Sequence, residues 1–166
     1  MEKSAKFVVI INDNVFWMEN KAIQFYVNLF GENLGTRYAE EKLSQSELFK
    51  IQNDFSVEIL MVYNGETPQS FAKLDSSRLS NQNVGTLKPI NLSEIIYFDS
   101  SDISVLLKRA EEIARQRKQD LIWIKAFAVD TDLVKTLKSH NYEEFSLEAS
   151  VENQYAEQLY FRKKLA

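Results

Sequence analysis

Apolar and polar positions divide the chain into blocks, and each block predicts one element. Residues 6–11 form a short β-branched run that predicts a first strand. Within residues 14–29, bulky apolar side chains recur at intervals of three and four, which places them on one face of a helix. Gly31 and Gly35 are interpreted as breaks after this helix. Ser44 and Glu47 have the capping-box spacing, so a second and shorter helix is predicted there.

The clearest local signal is a β-hairpin in the middle of the chain. An apolar run at residues 57–63 is followed by Asn64 and Gly65, and a second run ends at residues 71–74. Asn-Gly tolerates the positive φ that a type I′ turn demands, so this pair is predicted to form the hairpin turn. The polar stretch at residues 75–83 is interpreted as a loop.

The second half of the chain alternates strands and helices. Its predicted elements are a strand at 92–98, a helix over about 103–118, a buried strand at 121–129, a short helix ending before Asn141, and closing strands at 145–151 and 158–165. A strand, helix and strand in succession need a parallel connection, whereas the hairpin is antiparallel. The order therefore predicts an α/β fold with a mixed, mostly antiparallel central sheet and helices on both faces.

Composition narrows the class of protein. The chain has 166 residues, of which 45% are hydrophobic and 27% charged, so one globular domain over residues 1–166 is expected. The absence of cysteine excludes a disulfide framework and a cysteine nucleophile, and no metal site is predicted. A net charge of -4 argues against nucleic acid as a partner. No apolar run is long enough for a membrane span, so a cytoplasmic location is expected.

Several segments together resemble the GNAT superfamily of acetyl-CoA-dependent N-acetyltransferases over nearly the whole chain. They are the hairpin at 58–66, the strand Glu94-Ile95-Ile96-Tyr97-Phe98-Asp99, the helix at 106–114, the strand at 121–124, and Asn141-Tyr142, where the family commonly ends its last helix with Gly-Phe. The resemblance implies acetyl-CoA as the cofactor. It also implies a small-molecule amine or a protein amino group as the acceptor, and it allows a homodimer.

The resemblance also implies a base. In that family a carboxylate on the fourth strand usually removes the proton of the attacking amine, and Glu94 falls at that position. The family's proton donor is often a tyrosine, but Leu137 stands at the matching position here. The front section, with Phe25-Tyr26 and residues 38–43, is faintly similar to the polyamine-acetylating subset.

The chain departs from the family at the cofactor loop. The family holds the diphosphate with a Gln/Arg-x-x-Gly-x-Gly/Ala loop, because backbone N–H groups close around phosphates only where no Cβ intrudes. No glycine lies between residues 98 and 105, and Asp99 and Asp102 place carboxylates there. Asp102 is interpreted as the N-cap of the following helix. By position, the cofactor-binding residues that the resemblance implies are Ile96, Phe98, Ser100, Ser101, Ser104 and Asp130, the last where the family often has asparagine.

Two functions therefore stay open. The first is an acetyltransferase with Glu94 as base, and the second is a binding or regulatory module of the same fold that has lost its usual acetyl-CoA site. His140 is interpreted as a polar residue at a helix end. The aromatic group Phe16, Trp17, Phe25, Tyr26 and Phe30 is interpreted as core or interface, with a groove for the acceptor as the alternative.

Overall fold

The computed structural model describes residues 2–77, 84–86, 88–147 and 155–165. Its elements are β1 (Lys3–Val8), α1 (Asn12–Phe30), α2 (Glu32–Leu43), α3 (Gln45–Gln52), β2 (Val57–Asn64), β3 (Thr67–Asp75), β4 (Pro89–Ile96), α4 (Ser101–Gln116), β5 (Leu121–Phe127), α5 (Thr131–Ser139), β6 (Glu143–Phe145) and β7 (Gln158–Lys164). The last residues of the predicted loop, 78–83, and the end of the predicted strand, 148–151, lie outside the described residues.

One sheet organises the molecule. Within the described residues, its seven strands lie in the order β1-β2-β3-β4-β5-β7-β6. β4 and β5 pair in parallel through α4, while the other neighbouring pairs are antiparallel. The mixed, mostly antiparallel sheet predicted from the sequence is confirmed.

Helices cover both faces of the sheet. In β2 the successive residues Ile59, Leu60, Met61 and Val62 are all buried, although alternate side chains of a strand point to opposite faces. Such a strand needs cover on both sides. α4 supplies part of that cover with an apolar stripe, and its buried side chains recur at helical spacing from Ile103 onwards.

The main error of the sequence-based assignment is α2, which was missed. Gly35 is not the break that the pattern predicts but a buried residue inside α2. A Cβ at Gly35 would lie 2.3 Å from the backbone oxygen of Tyr26 in α1, so the two helices touch backbone to backbone at this point. Glycine is here for close approach rather than for a turn.

Smaller differences concern turns and boundaries. The first strand lies a few residues earlier than predicted, at Lys3–Val8. The hairpin is confirmed, but Asn64 pairs with Thr67, so its two-residue loop is Gly65-Glu66 and only Gly65 takes a positive φ, of 66°. A glycine at the first loop position fits a type II′ turn rather than the predicted type I′. Asn141 has a φ of 69°, which confirms the predicted left-handed end of α5.

The close contact of α1 and α2 can be tested by Gly35→Ala. Overpacking typically costs about 1–3 kcal/mol, and the value here should lie at or above the upper end because the contacted atom belongs to the backbone. Urea unfolding of the variant should show this loss in the free energy of unfolding. Asn33→Ala, at an exposed position of the same helix, should change it by less than about 0.5 kcal/mol. Equal effects of the two substitutions would contradict the packing.

Candidate functional site

A gap opens in the sheet where β4 and β5 part. Their ladder pairs Pro89–Leu92 with 121–124 and ends there. β4 continues against β3 and β5 continues against β7. The gap holds a cavity of about 20 Å³, room for a single water molecule, whose walls include Tyr26, Tyr38, Glu94, Lys125, Phe127 and Asp130.

A bulge in β4 sets the direction of Glu94. The pairing of β3 with β4 shifts between Phe71 and Lys73, and Glu94 has a φ of 50°. A positive φ is uncommon for a residue with a long side chain. Bulges of this kind re-aim a side chain, often next to an active site. The local irregularity thus places the Glu94 carboxylate in the cavity wall.

Two tyrosines hold the Glu94 carboxylate. The Tyr26 hydroxyl donates to Oε2 over 2.7 Å, and the Tyr38 hydroxyl donates to Oε1 over 2.9 Å. Burial, followed by the charge of Glu94, raises the pKa of both phenols, so they stay protonated and act as donors. The carboxylate is therefore fixed in orientation at the wall of the cavity.

Aromatic rings in tilted and edge-to-face contact form one wall of the site. The rings of Tyr26 and Tyr38 lie 4.4 Å apart between centroids, and Phe30 meets Phe127 at 4.7 Å. Phe25 contacts Tyr26 at 5.1 Å. These ring contacts keep the cavity narrow.

The predicted aromatic group thus divides. Tyr26 lines the cavity, and Phe25 and Phe30 pack against its ring. Trp17 packs against Phe71 of the core with centroids 6.1 Å apart, while Phe16 is 55% exposed. Trp17 therefore belongs to the core, whereas Phe16 does not, and an interface at Phe16 stays a prediction.

A second carboxylate lines the same cavity. Asp130 follows β5, is 4% exposed and accepts a hydrogen bond from the Tyr97 hydroxyl. Burial is the main cause that raises the pKa of Asp130 from its ordinary value of 3.8 to about 6, and the hydrogen bond from Tyr97 opposes that rise. Asp130 therefore titrates near neutral pH.

The start of α4 is closed by its own residues. Asp99 Oδ1 accepts from the Ser101 backbone N–H over 3.0 Å and from the Ser101 hydroxyl over 2.9 Å. The Asp102 N–H donates to the Asp99 carbonyl, and the Ile103 N–H donates to the Ser100 carbonyl. The amides that leave a helix N-terminus open to an anion are thus already in use.

The interpretation of Asp102 as N-cap is wrong. It lies inside the first turn of α4 with a side chain only 1% exposed, and Lys3 of β1 donates to its Oδ1 over 2.7 Å. Lys3 also reaches Asp99 Oδ2 over 2.9 Å. A buried carboxylate needs a counter-charge, and β1 supplies it. The hydrogen bond from Lys3 is the main cause that lowers the pKa of Asp99 to about 2.

These contacts at the start of α4 determine whether the diphosphate of a coenzyme fits there. A diphosphate at the start of α4 would meet two carboxylates and no free N–H among residues 101–103. The residues present there do not fit a diphosphate. The gap between β4 and β5, by contrast, leaves the edges of both strands unpaired with each other beyond Leu92.

The structure does not gather the remaining predicted cofactor residues into one site. Ile96 is fully buried and pairs with Phe71, whereas Phe98 is 47% exposed beside Phe25. Ser100 and Ser101 are exposed at the start of α4. Ser104 meets His140, with Oγ 2.9 Å from Nε2. Their contact with a cofactor stays a prediction.

Sequence reasoning missed Lys125. It lines the cavity on the side of β5 and is half-buried. Burial is the main cause that lowers its pKa. The sequence signal that could have identified Lys125 is its charge within the otherwise apolar strand β5.

Within the described ranges, no group of three or more His, Cys, Asp or Glu side chains is placed to hold a metal ion. No helix in that part of the chain combines the length and apolar character needed to cross a bilayer.

Comparisons with solved structures identify the fold. The chain matches the PaiA N-acetyltransferase from Thermoplasma acidophilum in complex with coenzyme A, with a TM-score of 0.72, 12% identity and 99% of each chain covered. It matches the spermidine N-acetyltransferase from Vibrio cholerae in complex with CoA and spermine, with a TM-score of 0.68, 11% identity, and 98% and 96% covered. An acetyltransferase of the GNAT family from Staphylococcus aureus Mu50 gives 0.65, 9% identity, and 98% and 100% covered. No protein-family model and no curated protein matches the sequence. The chain therefore has the fold of the GNAT acetyltransferases.

The pairing of Lys3 with Asp102 can be tested by a double-mutant cycle. Lys3→Met leaves a buried carboxylate without its partner, which should cost about 3 kcal/mol or more. Adding Asp102→Asn should recover much of that loss, because the charge is removed as well. Lys6→Met on the same strand, whose ammonium faces the Tyr63 ring, serves as the control and should cost less than about 1 kcal/mol. Strict additivity in the cycle would contradict the pairing.

The titration of Asp130 predicts a pH dependence. Its folded pKa lies above the unfolded value, so the folded state gains stability as pH falls from about 6 towards 4 and carries the full penalty above 6. Asp130→Asn removes the penalty and keeps an acceptor for Tyr97. Its free energy of unfolding relative to the parent should rise by about 2 kcal/mol between pH 4.5 and pH 8. Asp120→Asn, at an exposed site, should show no such change.

Proposed function

We propose that the chain is a GNAT-fold N-acetyltransferase that acts on an amine, and that Glu94 accepts the proton that the amine loses. The observation that carries the proposal is the Glu94 carboxylate on the β4 bulge, held by Tyr26 and Tyr38 at the wall of the gap. An alkylammonium ion is not nucleophilic. A proton passed from its nitrogen to Glu94 frees the lone pair.

The surroundings of Glu94 support this role. Both tyrosines are 3% exposed, so their donors are fixed in place before any ligand binds. The aromatic wall desolvates one side of the carboxylate and offers rings on which the carbon chain of an amine can pack. Leu137, where the family often has its acid, is fully buried. It supplies no proton donor.

The proposed acceptor and donor are supported by the likeness in fold. The V. cholerae neighbour is in complex with spermine, which supports a small-molecule amine as the acceptor. The T. acidophilum neighbour is in complex with coenzyme A, which supports acetyl-CoA as the donor. A diphosphate at α4 does not fit, so the donor would not be held there in the usual way. We further propose one domain over residues 1–166, a cytoplasmic location, and a homodimer as the partner state.

A binding or regulatory module is the second candidate. The self-capped start of α4 favours it, because Asp99 occupies the amides that a diphosphate would use. In that case the gap binds an amine through Glu94 and no acetyl group is transferred.

The base can be tested by Glu94→Gln. With acetyl-CoA and a set of primary amines, kcat/KM for acetylation should fall at least about 100-fold, because general base catalysis contributes roughly that factor or more. Glu58→Gln makes the same chemical change on β2, where Glu58 pairs with Arg117 over 2.7 Å, and should retain activity. Unfolding curves of both variants establish that they fold.

The same assay separates the two candidates. Acetylation of any amine by the parent, lost in Glu94→Gln, supports the enzyme. If no amine is acetylated and millimolar acetyl-CoA does not raise the thermal stability, the enzyme is excluded and the binding module is the remaining candidate. Saturation at 100 times the dissociation constant should otherwise add about 2.7 kcal/mol.

A further inference from the structure

A second cavity opens at the edge of the sheet, where β1 and β2 part. Their ladder ends with Val8 opposite Ile59, although β2 already begins at Val57 and pairs from there with β3. The chain after β1 instead bends away, and the Ile10 N–H donates to Gln52 Oε1 of α3 over 2.7 Å. The cavity that β1, β2 and α3 enclose in this way has a volume of about 220 Å³.

The size and lining of this cavity suit one aromatic ring. A cavity of about 150 Å³ with apolar walls is large enough to bind benzene. Seven of the nine residues that line the cavity are apolar. Of the two polar ones, Gln52 is bonded to the backbone and Glu58 forms an ion pair with Arg117 over 2.7 Å. The cavity therefore favours an apolar ring over a polar ligand.

An exposed ring lies next to the cavity on the same chain. Phe55 is fully exposed, although it precedes Val57 of the cavity wall by only two residues. Hydrogen bonds fix the turn that carries it. Asp54 Oδ1 accepts from the Ser56 N–H over 2.9 Å, and the Val57 N–H donates to the Asp54 carbonyl over 3.1 Å. The ring is thus held away from its own chain before any partner binds, which lowers the entropy cost of a contact.

An apolar patch surrounds the cavity and this ring. Nine large apolar side chains are exposed in the described part of the chain, and five of them lie on β1 and its continuation or on α3 and the turn after it: Phe7, Val9, Ile11, Phe49 and Phe55. A fully exposed phenylalanine presents roughly 200 Å² of apolar surface. This is a quarter of the roughly 800 Å² that each partner buries in a stable interface. The other four side chains, which are 36–61% exposed, enlarge the patch further.

The charges around the patch allow it to meet a copy of itself. Three cations and three anions lie on or beside its elements: Lys6, Lys50, Arg117, Glu47, Asp54 and Glu58. Four of them form ion pairs, Lys50 with Glu47 over 3.0 Å and Arg117 with Glu58 over 2.7 Å. In a two-fold dimer the same surface occurs on both partners, so a surface of one sign would repel its copy. These balanced charges remove that repulsion, although the whole chain has a net charge of -4.

We infer that this surface is the interface of the proposed homodimer, and that Phe55 of each copy fills the cavity between β1 and β2 of the other copy. The inference rests on the proposed homodimer and not on acetyl transfer. The contact is reciprocal, as a two-fold axis requires. An aromatic ring in an apolar pocket is the usual anchor of a protein interface. A second copy is the partner because one chain carries both the ring and the cavity that fits it.

Sedimentation velocity of the full chain tests this interface. The parent should sediment as a dimer with twice the 19.3 kDa mass of one chain. Phe55→Ser should raise the dissociation constant of the dimer at least about 30-fold, because each dimer loses two buried rings. Phe98→Ser is the matched control and should leave the dimer intact. Phe98 is also about half exposed, but it precedes Asp99, which binds Lys3 at the opposite end of β1.

A second variant tests the cavity independently of the ring. Val9→Trp places a large side chain at the cavity wall, so it should fill the cavity and weaken the dimer while Phe55 is unchanged. A mixture of Phe55→Ser and Val9→Trp should associate more tightly than either variant alone, since the mixed dimer keeps one ring in one open cavity. Unfolding curves establish that the variants fold.

Three results would overturn the inference. They are a parent that stays monomeric up to its solubility limit, a dimer that survives Phe55→Ser, and an equal loss in Phe98→Ser. A monomeric parent also removes the proposed homodimer and leaves a different protein as the occupant of the surface. A dimer unaffected by Phe55→Ser keeps the homodimer and excludes only this interface. Neither result bears on acetyl transfer, which Glu94→Gln tests separately.

Discussion

The site depends on a single close contact between two helices. Tyr26 of α1 and Tyr38 of α2 can both reach Glu94 only because the helices touch at Gly35, where a Cβ would lie 2.3 Å from the Tyr26 carbonyl oxygen. Tyr38 follows Gly35 by nearly one helical turn, so the contact that positions the helix also positions the hydroxyl. The same contact at Gly35 therefore determines both the packing of α1 against α2 and the orientation of the Glu94 carboxylate.

The sheet supplies the other half of the site. A bulge turns Glu94 towards the opening, and the parting of β4 from β5 makes that opening. Both are departures from regular pairing inside an otherwise buried strand. A regular ladder would instead have paired the two strands along their length and closed the gap.

The sequence predicts the elements whose signals are local. The hairpin follows from Asn64-Gly65, and α4 follows from its helical periodicity. The sequence does not predict α2, because a glycine in a polar segment can either end a helix or allow two helices to come into contact. The sequence alone does not distinguish these two roles. The pairing of Lys3 with Asp102 spans 99 positions, and no local pattern carries such information. Glu94 was found by its place in a family pattern, whereas its positive φ and its tyrosine partners come from tertiary structure.

Carboxylates have different partners at the start of α4 and in the gap between β4 and β5. At the start of α4 the positive helix end already has an anion, because Asp99 accepts from its amides and Lys3 compensates both Asp99 and Asp102. In the gap, Lys125 has no such partner within the described residues, although Glu94 lines the same cavity. The carboxylates at the first place are thus compensated by an ammonium group, whereas Glu94 and Asp130 at the second are held by tyrosine hydroxyls.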